Sequence, residues 1–165
     1  MIATLLALTL GFASAAPRVG VDVHAMAGPG GSLEGDFNPD LSGFLGVGAM
    51  VWPSSRLGLG LRLDGGSFQL IGQDDPNLFG SLEGAVRLSD HWGAGLGLVV
   101  PLGQDEVNCV AAPCPSGSWT HAPLGAAQVW RDLEVGALRL PIGLRAEVGQ
   151  ERWVLGAQVG LGLGR

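Results

Sequence analysis

R-W-V-L-G-A-Q-V-G-L-G-L-G-R, from Arg152 to Arg165, carries the clearest structural pattern in the sequence. Every second residue from Trp153 to Leu163 is apolar. The residues between them are mostly glycine, with Gln158 as their polar member. A period of two is typical of a β-strand whose two faces meet different surroundings. The stretch therefore predicts a last strand with one apolar face and one face of very small side chains.

The same alternation recurs in seven segments upstream. The segments are Arg18 to Ala27, Leu41 to Trp52, Arg56 to Asp64, Leu78 to Leu88, Trp92 to Val100, Trp119 to Trp130, and Leu133 to Val148. The sixth alternates least regularly, and Pro123 suggests a bulge or irregular pairing within it. Short turns are expected at Pro53 to Ser55, at Ser89 to His91 and at Arg131-Asp132. Together with the last stretch, these segments predict eight strands.

The connections between these strands alternate in length, which is typical of membrane barrels with long outer loops and short periplasmic turns. An open sheet edge has no hydrogen-bond partner in hydrocarbon, so the sheet must close on itself. We therefore predict an all-β fold, an eight-stranded antiparallel up-and-down transmembrane β-barrel in which strand eight pairs with strand one. An even number of strands places both termini in the periplasm.

Composition supports a membrane barrel and argues against other classes. Charged residues make up 15% of the 165-residue chain, and the mean hydropathy is +0.34, whereas soluble domains carry about 25% charged residues. No apolar run after the first residues approaches the roughly 20 residues that a spanning helix needs. A net charge of -6 disfavours nucleic acid as a partner.

The first 16 residues predict a secretory signal peptide, with the barrel following from residue 17 to residue 165. An apolar run from Ile2 to Phe12 precedes Ala13-Ser14-Ala15, a small-x-small cleavage pattern. Export also suits the two cysteines, Cys109 and Cys114, which we expect to form a local disulfide. A metal site would need further ligands at suitable spacing, and the neighbouring sequence offers none.

The five tryptophans all fall at predicted strand ends. Trp52, Trp92 and Trp130 lie beside the short turns, and Trp119 and Trp153 lie at the opposite ends. Indole side chains prefer membrane interfaces. We therefore interpret the five as two aromatic girdles, with simple packing at strand ends as the alternative.

Four charged residues on the inward faces fall at similar heights when residues are counted along each strand. They are Asp22, Arg62, Glu83 and Arg139. An unpaired charge in a narrow lumen keeps its desolvation cost. Two acids and two arginines would balance, so we predict an ion-pair network that fills the middle of the lumen. The alternative is that each charge is separately hydrated.

These features resemble the small eight-stranded outer-membrane barrels of the OmpA/OmpX type, a porin-like group of Gram-negative bacteria. The resemblance covers residues 17 to 165 and rests on the alternation and loop pattern. It implies an integral outer-membrane barrel with a structural or surface-interaction role. It also implies contact with outer-membrane lipid and lipopolysaccharide, and with the insertion machinery, but it names no partner for the surface loops. Arg165 stands where the group usually has an aromatic residue.

Two other functions remain open at this point. The inward glycines leave space for a narrow pore or a small ligand. Some small barrels modify lipid A, and His121 with Ser118 and Thr120 could supply a base and a nucleophile near Glu106 or Asp105. Because His121 is more simply read as a rim residue, we expect no enzymatic activity. Nor do we expect a cofactor or metal, because the acidic loop residues lack the spacing of a calcium loop.

Overall fold

The computed structural model describes residues 17–33, 39–67, 77–103, 123–150 and 152–163. These residues form eight β-strands, and none of them belongs to a helix long and apolar enough to cross a membrane. The strands are β1 (Arg18–Ser32), β2 (Asp40–Trp52), β3 (Leu57–Ser67), β4 (Asn77–Arg87), β5 (Trp92–Gly103), β6 (Leu124–Val135), β7 (Leu138–Val148) and β8 (Arg152–Leu163).

Each strand pairs antiparallel with its neighbours in the chain, and β8 pairs with β1 to close the barrel. The closing seam includes the pairs Val21 with Leu163 and Ala25 with Val159. The predicted fold class, with its eight strands and its closing pair, is therefore confirmed. We call the end that carries the short connections, together with Arg18 and Leu163, the turn end, and the other end the loop end.

The register staggers the strands around the barrel. From Asp22, paired residues lead through β2, β3, β4 and β5 to Leu124 on β6. In the other direction they lead through β8 and β7 to Glu134, on the same strand. The two paths meet ten residues apart (134 minus 124). Residues counted equally from their strand ends therefore do not lie at equal heights in the lumen, because shear displaces each strand along its neighbour.

The outer wall is apolar along its length. Leu45, Leu59, Leu82, Leu96 and Ile142 are examples of outward side chains that are between 47% and 71% exposed. The alternate positions face inward and hold most of the buried side chains, both apolar and charged. The faces are thus those predicted from the alternation, with the hydrophobic surface outside and the polar groups enclosed.

The hairpin between β6 and β7 corrects the predicted turn at Arg131-Asp132. Both residues lie within the ladder, Arg131 opposite Ile142 and Asp132 opposite Pro141. The turn is instead at Gly136, whose φ of 65° lies in the left-handed region that glycine adopts without steric cost. Leu133 to Val135 therefore belong to β6 and not to the seventh strand.

Other boundaries also differ from the predicted ones. β1 continues to Ser32 because its last residues pair with both β2 and β8. β6 begins at Leu124, after Pro123, which lacks the N–H that a ladder requires. The predicted signal peptide, the cysteine pair and the His121 group all lie outside the described residues.

Replacing Gly136 with alanine should destabilise the barrel by about 1 kcal/mol or more, because an L residue must then adopt the left-handed region. Gly125→Ala is the matched control, since the added methyl there would meet only the Val148 carbonyl oxygen, at 3.8 Å. Urea unfolding of both variants in lipid vesicles measures the difference. Equal stability of the two variants would contradict the turn assignment.

Arginine in place of Leu96 should impair folding into lipid. The side chain is 71% exposed near the middle of β5, and a charge at mid-depth on a lipid-facing surface costs about 2–4 kcal/mol. Val135→Arg makes the same change on the outer face next to the β6–β7 turn, where the cost falls to about 0–1 kcal/mol. Folding yields in vesicles should rank the wild type and Val135→Arg well above Leu96→Arg.

Candidate functional site

The inside of the barrel is layered, and its loop end is apolar. We call this group the loop-end layer: Met26, Phe44, Phe79, Val99, Leu124, Ala126 and Val154. Phe44 and Phe79 meet edge to face, with ring centroids 5.9 Å apart and an interplanar angle of 74°. All seven side chains are at least 94% buried. Six of the eight strands contribute to the layer, so it extends across the lumen.

A second apolar group lies at the turn end. This turn-end layer consists of Trp52, Ala85 and Trp130, with Met50 packed against them. The guanidinium of Arg87 lies over the Trp52 ring, 4.7 Å from its centroid. A cation at that distance is attracted by the negative face of an indole. The turn-end layer is therefore covered by a positively charged group.

Between the two layers runs a charged belt, and its most buried part centres on Arg145. This side chain is 1% exposed and donates to two carboxylates. Its Nη1 lies 2.5 Å from Glu83 Oε1 and its Nε lies 2.6 Å from Glu147 Oε1. Glu83 also accepts from the Ser81 hydroxyl at 3.1 Å and from Gln128 Nε2 at 2.7 Å. Charges enclosed in this way are tolerated because each has charged and hydrogen-bonded partners.

The other part of the belt centres on His24, a buried residue of β1. Its Nδ1 lies 2.8 Å from Asp22 Oδ1, and its Nε2 lies 2.6 Å from Asp64 Oδ1 on β3. The imidazole thus stands between two carboxylates. The contact with Asp64 crosses over β2 at Gly46, where a Cβ atom would collide with both side chains. Glycine at that position is what allows the two to meet.

Arg62 joins the two parts of the belt. Its Nε lies 3.1 Å from His24 Nε2 and 3.8 Å from Glu83 Oε1. Its Nη1 donates at 3.3 Å to the side-chain oxygens of both Gln128 and Gln158. Gln158 Nε2 in turn donates to Gln128 Oε1 at 3.0 Å. A continuous set of polar contacts therefore runs across the lumen.

A cavity of about 60 Å³ lies between the belt and the turn-end layer. Polar groups on its wall include Asp22, Arg62 and Arg139, and apolar ones include Met50 and Pro141. About 10–15 Å³ suffices to hold one water molecule. The cavity can therefore hold a few waters or a very small ligand. Acyl chains are too large for it.

The structure brings three of the four predicted network residues into the belt. Arg62 contacts Glu83, and Asp22 reaches Arg62 through His24. Arg139 lines the cavity, but its recorded ion pair is with Asp132, 3.6 Å away near the turn end. Arg139 acts electrostatically on Asp22 across the cavity, but barrel shear places its close ion pair with Asp132.

Sequence reasoning missed most of the belt. Alternation placed His24, Asp64, Arg145, Glu147 and Gln158 on inward faces, and that signal was available. Alternation does not give the register between strands, and the register decides which inward side chains come into contact. Gln128 was harder to place, because the sixth segment alternates least regularly.

Two tryptophans correct the predicted girdles. Trp52 and Trp130 are 6% and 7% exposed and point into the lumen, where they form the turn-end layer. Both occupy inward positions of their strands, so the alternation overrides the preference of indole for an interface. Trp92 does face outward, 47% exposed, with the Arg131 guanidinium 6.0 Å from its ring centroid. Trp153 is half-buried at the loop end, and Trp119 lies outside the described residues.

Comparison with solved structures places the fold among small eight-stranded outer-membrane barrels. Neisserial surface protein A is similar with a TM-score of 0.58 and 11% identity, over 90% of this chain and 99% of that one. Ail, the attachment invasion locus protein of Yersinia pestis, has a TM-score of 0.52 and 7% identity, over 92% of this chain and all of its own (100%). No protein-family model and no curated protein sequence matches the chain. At these identities the likeness establishes the fold alone.

Replacing Arg145 with methionine should destabilise the barrel by about 3–5 kcal/mol, because it leaves Glu83 and Glu147 buried without their shared cation. Arg131→Met removes an arginine from the exposed outer side of the neighbouring strand, and should cost less than about 1 kcal/mol. Urea unfolding in lipid vesicles compares the two. If Arg145→Met cost as little stability as the control, Arg145 would not be the cation that neutralises Glu83 and Glu147.

Proposed function

We propose that the chain is an integral outer-membrane barrel with a structural or surface-interaction role, whose lumen is filled by its own side chains. It acts neither as an enzyme nor as an open channel. Its outer wall contacts membrane lipid and lipopolysaccharide, and it reaches the membrane through the outer-membrane insertion machinery. The turn end, which carries both termini, faces the periplasm.

The observation that carries this proposal is the layering of the lumen. A hydrated ion crossing the barrel would have to pass two apolar layers, and hydrophobic constrictions stop ions by excluding water. Between them it would meet a belt whose guanidinium and carboxylate groups already bind one another. An eight-stranded barrel has an interior about wide enough for side chains to fill. These features support a closed barrel.

The outer wall supports the membrane location. Its exposed leucines and valines have no counterpart in a soluble protein, where a contiguous apolar surface of this extent would cause association. The likeness to outer-membrane barrels points the same way. A barrel satisfies its backbone groups internally, as a hydrocarbon environment demands.

The loop end is the part that we assign to surface interaction. Three of its four connections are long, at residues 33–39, 68–76 and 104–123, whereas the turn-end connections span only 53–56, 88–91 and 136–137. In outer-membrane barrels the longer loops lie on the outside. A partner that binds the cell surface would therefore meet these segments first.

The pure protein in a planar bilayer should show no steady conductance. Phe44→Ser/Phe79→Ser should raise the conductance or produce brief openings, because it lets water into the loop-end layer. Leu45→Ser/Leu78→Ser is the matched control, since it makes the same change at the adjoining outward positions of the same two strands. Large, stable channels in the unmodified protein would instead favour the narrow-pore function.

The cavity beside the belt favours a small-ligand barrel as the second candidate. Its wall offers donors and acceptors, and its volume admits only very small polar molecules. Such a ligand should raise the urea midpoint of the wild type in vesicles and leave that of Gly160→Leu, whose side chain would occupy the cavity, unchanged. A set of small polar molecules that shifts neither midpoint would argue against this candidate.

A further inference from the structure

His24 is held by two acceptors at once. Asp22 Oδ1 and Asp64 Oδ1 lie 2.8 and 2.6 Å from its two ring nitrogens. An ionised carboxylate only accepts hydrogen bonds, and a neutral imidazole has a single N–H to donate. Two carboxylates on one ring are satisfied together only if both ring nitrogens carry protons.

Arg62 provides the contact that competes with this arrangement. Its Nε lies 3.1 Å from His24 Nε2, which could accept its proton if the ring were neutral. The lone pair of Nε2 would then also face the Asp64 carboxylate at 2.6 Å. Two hydrogen-bond acceptors would be in contact with no proton between them, which is unfavourable. The shorter distance belongs to Asp64, so the geometry favours a proton on Nε2. Arg62 retains Asp64, Glu83, Gln128 and Gln158 as partners.

The charge balance of the lumen also favours a cationic ring. Within the described residues, the ion pairs of the lumen join five carboxylates with three guanidinium groups and His24. The carboxylates belong to Asp22, Asp64, Glu83, Asp132 and Glu147, and the guanidinium groups to Arg62, Arg139 and Arg145. Without a proton on His24 the acids of these ion pairs exceed their bases by two. With it the excess is one.

Among the residues that the structure describes, Arg62 is the only cation in contact with His24. On β1 it faces Asp22, and on β3 it faces Asp64 and Arg62. On β2 it lies against Gly46, and on β8 against Gly160, where no side chain titrates. Arg62 links His24 to the neutral amide of Gln158 on β8 and to the carboxylate of Glu83 on β4. Glu83 in turn binds Arg145 on β7, which also binds Glu147 on that strand. Arg139 on β7 lies across the same cavity.

We propose that His24 is an imidazolium at neutral pH and acts as a proton-dependent lock between β1 and β3. Its two N–H groups bind Asp22 and Asp64 across Gly46 and hold one side of the charged belt together. When the proton is lost to water at alkaline pH, one carboxylate loses its donor and the contact across β2 opens. The lumen then keeps an additional uncompensated negative charge.

Nuclear magnetic resonance of protein labelled with ¹⁵N-histidine in micelles tests the charge state directly. The His24 signal is identified as the one that disappears in His24→Gln, and exposed His91, on the β4–β5 turn, serves as the internal reference. At about pH 8 an ordinary imidazole, with a pKa of about 6.5, is neutral. We expect both nitrogens of His24 to be protonated there. One protonated nitrogen on His24 at that pH would overturn the proposal.

A double-mutant cycle tests the lock in a way that packing alone would not reproduce. His24→Gln should lower the folding equilibrium constant in vesicles about a hundredfold or more, because it leaves two facing carboxylates without their shared cation. Adding Asp64→Asn should recover about tenfold of that loss, although the same change alone in the wild type is destabilising. His91→Gln should change nothing. The proposal would be overturned if His24→Gln folded with the equilibrium constant of the wild type. It would also be overturned if adding Asp64→Asn to His24→Gln lowered that constant further.

Discussion

The outer wall, the lumen and the charged belt all require that the backbone hydrogen-bond ladder close between β1 and β8. A sheet with an apolar outer face cannot leave an edge in hydrocarbon, where each unsatisfied backbone group costs several kcal/mol. Closure supplies partners for both edges at once, Val21 with Leu163 and Ala25 with Val159 among them. It also fixes the number of strands and the stagger, and these two quantities decide how much space remains inside.

That narrow interior explains why the lumen contains so many charges and so few isolated ones. Charged side chains pointing inward in a small barrel come within reach of one another, as Arg145 does with Glu83 and Glu147. The apolar layers on either side separate the belt from bulk water, so a charge that loses its protein partner has only the small cavity beside the belt to supply solvent. The layers make each ion pair stronger and the loss of either partner more costly. Layering of the lumen and pairing within the belt therefore depend on each other.

The sequence predicts well which residues along each strand face inward or outward, and predicts poorly which residues of different strands lie at the same height. Alternation along each strand is a local property, so it identified the strands, the outer wall and the inward set that includes Arg62 and Glu83. Heights across strands are not local, because a stagger of ten residues accumulates around the barrel. The pair of Arg139 with Asp132 was therefore not predicted, and Arg145, on the same strand, was left out. The turn at Gly136 was missed because Arg131 and Asp132 resemble turn residues, although Asp132 is an inward residue beside Arg139.

In the two tryptophans of the turn-end layer, the inward direction set by the strand pleat prevails over the preference of indole for a membrane interface. Indole favours a membrane interface, yet Trp52 and Trp130 stand at inward positions and the pleat gives them no access to lipid. Small neighbours make this possible, since a Cβ at Gly93 would collide with the Trp130 ring and one at Gly58 would crowd that of Trp52. The inward glycines thus do not simply leave space for a pore. The space beside several of these glycines is filled by large side chains from the adjoining strand. A barrel with many inward glycines can for this reason still have a filled lumen.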